Sequence, residues 1–180
     1  MADGSKKLNA GCGSDIRIGW LNLDKVKLPG VQIVHDLSHI PLPFHAEEFD
    51  EILCKNVLEH IDYYIPVLGE FHRILKPGGR LTIEVPHFTS KDAFNDPTHM
   101  RTFGVNTFRY FVAHHLRSYC FDFHFSRISR VHISFDKRPG YFYNYALEPL
   151  VNVGSRTQDF YEGSPLRVFP ATNMTVVLVK

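Results

Sequence analysis

Leu8-Asn9-Ala10-Gly11-Cys12-Gly13, followed by Gly19-Trp20-Leu21-Asn22-Leu23-Asp24, is the stretch on which the fold turns. Leu8 to Ala10 reads as a short strand that runs into a Gly-x-Gly turn. Small residues in such a turn let a ligand lie against bare backbone. Trp20 to Leu23 reads as a second strand that ends on Asp24, whose carboxylate can accept two ribose hydroxyls. Packing alone can also select a tight glycine turn, so the spacing has to decide. A dinucleotide site requires a third glycine, a helix N-terminus facing the pyrophosphate and an acid about 20 residues on. Only Ser14 to Gly19 separate Gly13 from the next strand. That leaves room for one helical turn, and a ligand with a ribose but no phosphate suits the shortened elbow better.

Outward from this stretch, Val31 to Val34 reads as a third strand and Glu51 to Cys54 as a fourth, each running into polar residues. Asp62 to Lys76 reads as a helix with Asp62 as N-cap and an apolar face of Ile61, Ile65, Leu68, His72 and Leu75. Pro77-Gly78-Gly79 stops it, and Arg80 to Pro86 alternates as a fifth strand. A helix is expected over Asn106 to Tyr119, a strand over Phe125 to Phe135, a short helix over Tyr145 to Val153 and a last strand over Asn173 to Val179. Strands alternating with helices predict a mostly parallel sheet, with the ligand at the switch point between the first and fourth strands. The last two strands, with no long helix between them, are expected as an antiparallel pair at one edge.

The bulk properties narrow the function. The chain has 180 residues, with 20 Lys plus Arg against 19 Asp plus Glu. That length suits one domain spanning 1–180, and the near-neutral charge argues against a nucleic-acid partner. Cys12, Cys54 and Cys120 form no CxxC pair, which points to reduced thiols and a cytoplasmic setting. The segment Met1 to Lys7 has no apolar signal core, and no apolar run reaches the roughly 20 residues that span a bilayer. No membrane association is expected.

Two further signals concern the ligand. Asp36-Leu37, after the third strand, can offer a carboxylate to the exocyclic amine of adenine and an amide to a ring nitrogen. Asn56-Val57-Leu58-Glu59-His60, after the fourth strand, can hold an ammonium group on backbone carbonyls. S-adenosylmethionine has this combination of adenine, ribose and amino acid without phosphate, and Arg17 is a candidate for its carboxylate.

Taken in order, Leu-Asn-Ala-Gly-Cys-Gly, Gly19 to Asp24, His35-Asp36-Leu37, Phe49-Asp50-Glu51-Ile52, Val57-Leu58-Glu59-His60 and Leu75-Lys76-Pro77-Gly78-Gly79 resemble the motifs of class I S-adenosylmethionine-dependent methyltransferases. The resemblance is closest to the type 11-like branch and covers residues 6 to 86. It implies an α/β, Rossmann-like, mostly parallel seven-stranded sheet with an antiparallel edge strand in a three-layer sandwich. It also implies that Asn9, Ala10, Gly11, Cys12 and Gly13 border the cofactor, that Leu23 and Asp24 meet the ribose, and that Asp36 and Leu37 meet adenine. Asn56, Val57 and His60 then face the methionine portion. Two features depart from the pattern. Asn9 stands where an acid is usual, and the N-terminal helices that often cover the acceptor are missing.

The acceptor side is expected after the fifth strand. His99 is the candidate base, oriented by Asp96, with His87, Arg101 and Tyr143 as candidate acceptor contacts. Segments 87–125 and 136–172 are expected as acceptor-side lid or insert. A small-molecule acceptor with an oxygen or nitrogen nucleophile and a homodimer are the expected partners. His35, His39 and His45, or His114 and His115, lack the spacing of a metal motif, so no metal is expected. A non-catalytic cofactor-binding subunit, a dinucleotide or nucleotide-sugar oxidoreductase and an RNA-binding module are the competing readings.

Overall fold

The computed structural model describes residues 4–113 and 115–180. The start of the polar N-terminus and His114, one of the histidines weighed as a metal ligand, lie outside the described residues. Seven strands form one sheet: β1 (Lys7–Ala10), β2 (Leu21–Asp24), β3 (Ile33–Val34), β4 (Phe49–Lys55), β5 (Leu75–Pro86), β6 (Arg127–Phe135) and β7 (Ala171–Val179). Their spatial order is β3-β2-β1-β4-β5-β7-β6. The first five strands pair in parallel. The last strand, β7, runs antiparallel to both neighbours, β5 and β6. The reversed strand is thus inserted one place in from the edge, and the edge is an antiparallel pair. The order reverses at β1 and β4, whose carboxyl ends open a crevice there.

Helices are fewer than the alternating reading expects. Among the described residues, turns connect β1 to β2, β2 to β3 and β3 to β4. The helix α1 (Ile65–Ile74) joins β4 to β5 and packs on β5. Its N-cap is Tyr64, two residues later than Asp62, and Pro66 sits in its first turn, where a missing N–H costs nothing. Asp62 instead accepts from Arg101. Val67, Leu68, Phe71 and Ile74 form its buried face, each contributing roughly 1.5–3 kcal/mol by leaving water. Leu81, Ile83 and Val85 alternate into the same core from β5.

The C-terminal half departs further from expectation. Asn106 to Tyr119 is not one helix. It holds 3-10 turns at Thr107–Phe111 and Ser118–Cys120, because Phe108 and Phe111 are both drawn into the core at a spacing that suits the tighter turn. A four-residue helix α2 (Asp92–Asn95) follows β5. Two helices, α3 (Asn144–Val151) and α4 (Ser155–Gly163), precede β7, with α3 on β6 and α4 beside α3. No helix among the described residues is long and apolar enough to cross a membrane.

Candidate active site

The turn after β1 is held by short backbone contacts. Gly11 and Cys12 both donate to the Leu23 carbonyl, at 2.8 and 2.9 Å. Gly11 has φ +71°, and a Cβ there would stand 2.4 Å from Val57 Cγ2. This glycine lets the β1 turn close on the turn after β4. Gly13 also has a positive φ, +49°, but an added Cβ would meet nothing within 4 Å. It opens onto the crevice. Asn9, expected to border the cofactor, is buried away from it and donates to the Asp15 carbonyl and to Asn22 Oδ1. Its work is to fix the loop.

A cavity of about 540 Å³ occupies the carboxyl ends of β1 to β4. Gly11, Gly13, Leu23, Asp24, Asp36, Leu37, Asn56, Val57 and His60 line it, so the fold brings nine of the expected cofactor residues together. Asn9, Ala10 and Cys12 lie behind that lining, all buried. The Asp24 carboxylate accepts from Gly13 N at 2.7 Å and from Val26 N at 2.9 Å, which locks it at the pocket rim with lone pairs to spare. Asp36 accepts from Ser38 N, and this contact holds its carboxyl below the usual range, so it is ionised at neutral pH. Asn56 carries φ +51°, a strained turn at the end of β4.

These walls suit S-adenosylmethionine. The volume lies in the range of small-ligand pockets, about 300–1,000 Å³. Two carboxylates face it, and Lys25 is the single lysine or arginine among its lining residues. A diphosphate would meet repulsion there, whereas an adenine amine, a ribose and a sulfonium would not. Arg17 does not take part. It lies over the Trp20 ring and pairs with Asp15.

The acceptor-side residues are placed differently from expectation. Thr98 and Met100 reach the pocket, and the imidazole that lines it is His60, not His99. His60 Nδ1 lies 2.9 Å from Thr98 Oγ1, which donates its proton to Asp96 Oδ1 at 2.6 Å. Thr98 must therefore accept from His60 Nδ1–H, and the basic lone pair of His60 is on Nε2. Burial and the neighbouring His99 hold the His60 imidazole below its ordinary value, so it is neutral at pH 7. His99 stands behind, its ring 4.7 Å from that of His60 and its Nε2 3.8 Å from Asp96 Oδ2.

Three expected acceptor contacts are corrected. His87 is wholly buried and lies 2.9 Å from Glu162 Oε1 and 2.8 Å from Thr89 Oγ1. Arg101 is held by the Asp62 carbonyl and carboxylate. Tyr143 precedes α3 and packs on Phe169. None of the three lines the pocket. Thr98 belongs to the run Asp96-Pro97-Thr98-His99 in which the sequence places acceptor-side candidates, whereas nothing in the sequence marks Met100 as a lining residue; the Met100 N–H bond to the Glu59 carbonyl, at 2.7 Å, draws that loop inward. A larger cavity, about 650 Å³, lies along β6 and includes Arg109, Arg127 and Arg130. It has neither a glycine turn nor an acidic side chain in its lining, so the smaller cavity fits the cofactor chemistry better.

The cysteines add no nucleophile at the pocket. Burial and Asp24 push the Cys12 thiol up, and burial pushes the enclosed Cys54 thiol further.

A family profile described as a methyltransferase domain matches residues 10–83. An uncharacterized protein of Methanocaldococcus jannaschii is 35% identical over 96 residues, covering 48% of this chain and 41% of that protein. A demethylmenaquinone methyltransferase of Listeria welshimeri is 32% identical over 66 residues, 37% of this chain and 28% of that enzyme. The chain thus spans less than half the length of these two relatives. A crystal structure described as a SAM-dependent methyltransferase from Archaeoglobus fulgidus superposes with a TM-score of 0.60 at 14% identity, covering 98% of this chain and 87% of that one. The profile match over residues 10–83 bears out the resemblance to class I, type 11-like S-adenosylmethionine-dependent methyltransferases. S-adenosylmethionine is the cofactor of that branch.

Proposed function

We propose that this chain transfers the methyl group of S-adenosylmethionine to a small-molecule oxygen or nitrogen nucleophile and releases S-adenosylhomocysteine. The observation that carries the reading is one cavity in which the glycine turn, Asp24 and Asp36 meet His60 and Thr98. In this reading Asp24 accepts the ribose hydroxyls, Asp36 and Leu37 hold adenine, and Gly11, Gly13, Asn56 and Val57 border the methionine portion. Bound cofactor supplies an electrophilic methyl on a sulfonium. The protein aligns the acceptor with it, and such positioning supplies several kcal/mol of the barrier.

A hydroxyl or ammonium acceptor must also lose a proton. His60, neutral and with its lone pair on Nε2, is placed to accept it. Thr98, Asp96 and His99 act as positioning residues behind it. The part of segment 87–125 that includes Thr98 and Met100 covers the acceptor side. Segment 136–172 packs α3 on β6, at the far end of the sheet, with α4 beside α3, and none of its residues lines the pocket.

The test is methyl transfer from radiolabelled cofactor into a metabolite extract, with wild type and His60→Ala. Label should appear in a small molecule, and the variant should lose turnover while keeping its affinity for S-adenosylhomocysteine. Label confined to protein or RNA would overturn the acceptor class, and unchanged turnover in the variant would overturn the role of His60.

A further inference from the structure

Behind the pocket wall three potential ligands converge. One ligand atom each from Glu59, His60 and His99 lies within 4.8 Å of the other two. Glu59 is 1% exposed, and neither of its carboxylate oxygens has a hydrogen-bond partner. His99 Nδ1 is likewise buried without a partner. A carboxylate in that setting carries a desolvation cost that no side-chain partner offsets.

The protonation pattern sharpens the point. His60 gives its Nδ1 proton to Thr98, which leaves a lone pair on Nε2. The Asp96 carboxylate, 3.8 Å from His99 Nε2, favours the proton on that nitrogen and leaves the lone pair on Nδ1. Each imidazole thus keeps one lone pair, and one ligand atom of each ring lies within 4.8 Å of a carboxylate oxygen that has no hydrogen-bond partner. His60 has the outer contact that orients metal-binding histidines, its second ring nitrogen held by a hydroxyl, and Asp96 stands 3.8 Å from the second nitrogen of His99.

We propose that Glu59, His60 and His99 bind one divalent first-row transition-metal ion of the zinc class. Two imidazoles and a carboxylate are a ligand set for such ions and leave coordination positions open. Bond lengths of about 2.0–2.2 Å put tetrahedral ligands roughly 3.4 Å apart, so the three side chains draw together by about an ångström on the ion. His60 lines the pocket, so the open positions face the acceptor, and an oxygen donor on that molecule fits them. With an ion in place, the lone pair assigned above to proton transfer becomes a ligand instead. Binding of the ion does not rest on the methyl-transfer reading; only its use in that reaction does. The sequence conceals the site, since its spacing matches no metal motif. Glu59 and His60 follow β4, while His99 comes from the loop after α2.

The other reading of the same geometry is a proton in place of the metal. Burial pushes the Glu59 acid up to about 7, with Asp96 and Glu84 adding to it and the field of its own backbone N–H opposing. Metal titration separates the two. Full-length protein is stripped with chelator, dialysed and titrated with Zn²⁺ by calorimetry, and with Co²⁺ by visible absorption. Wild type should take up one equivalent and show the d–d bands of a nitrogen–oxygen ligand set. Glu59→Gln and His99→Ala should each weaken binding by about 100-fold or more, while His45→Ala, at an exposed site, binds as wild type. No uptake of Zn²⁺ at tens of micromolar, or uptake unchanged in His99→Ala, overturns the proposal. Circular dichroism checks the fold of each variant; if Glu59→Gln does not fold, His99→Ala and His60→Ala decide. Affinity for S-adenosylhomocysteine is measured on the same samples, so failure of the cofactor reading is seen separately.

Discussion

Replacing Gly11 by alanine tests how the two turns are joined. At φ +71° an L-residue carries a strain of about 1–2 kcal/mol. The new Cβ also stands 2.4 Å from Val57 Cγ2 and 3.0 Å from Val57 Cγ1. Forcing that side chain aside is an overpacking of roughly 1–3 kcal/mol. Together the loss is about 2–5 kcal/mol, which lowers the melting temperature of a domain of this size by roughly 5–20 °C. Gly13→Ala meets the same kind of backbone strain but no neighbour within 4 Å, so its loss should be only about 1–2 kcal/mol. The assay is thermal unfolding by circular dichroism of Gly11→Ala, Gly13→Ala, Val57→Ala and the Gly11→Ala/Val57→Ala double variant. Shortening Val57 should return the packing part of the loss and leave the strain, so the double variant should lie well above the sum of the single losses. Equal melting of Gly11→Ala and Gly13→Ala, or strict additivity with Val57→Ala, would refute the close approach of the two turns.

Other residues give independent tests. Glu70 accepts from Arg73 and from Leu42 N, and the Arg73 contact holds its carboxyl below the ordinary range. Its contribution is therefore complete above the unfolded value, about 4.3, and is lost as pH falls through the lower folded value. Melts of wild type and Glu70→Gln should differ at pH 7 and converge toward pH 3; a constant gap would contradict this assignment. His87→Ala removes a wholly buried hydrogen-bond partner of Glu162 and Thr89 and should destabilise the fold by roughly 1–3 kcal/mol. It should leave the affinity of the folded protein for S-adenosylhomocysteine unchanged, and a large affinity loss would return His87 to the site. Phe71→Ala, at the fully buried centre of α1, should cost about 3–5 kcal/mol in denaturant unfolding.

The cofactor half of the proposed site is legible because each of its residues sits where a strand ends. Asp24 closes β2, Asp36 follows β3 and Asn56 follows β4, and a parallel sheet brings all these ends to one edge. The acceptor half is not local in this sense. His60 and His99 meet only because the loop after α2 returns to the Glu59 carbonyl, and no periodicity records such a return. Residue type misled where burial was hidden: His87 and Arg101 look chemically active, yet one is sealed in the core and the other is tied to Asp62. The start of α1 was misplaced for a similar reason. Asp62 is of a type that caps helices, but Pro66 fixes the first turn and Arg101 takes the carboxylate. Helix α4 escaped notice because its sequence is largely polar and only Gln158 and Tyr161 turn inward.

Calorimetry with S-adenosylhomocysteine reaches the centre of the account most directly. Wild type should bind one equivalent and show no heat with a nicotinamide dinucleotide, and Asp24→Ala should bind ten- to about a hundredfold more weakly through loss of charge-assisted hydrogen bonds. Binding of the dinucleotide in place of S-adenosylhomocysteine, or full affinity in a folded Asp24→Ala variant, would contradict it.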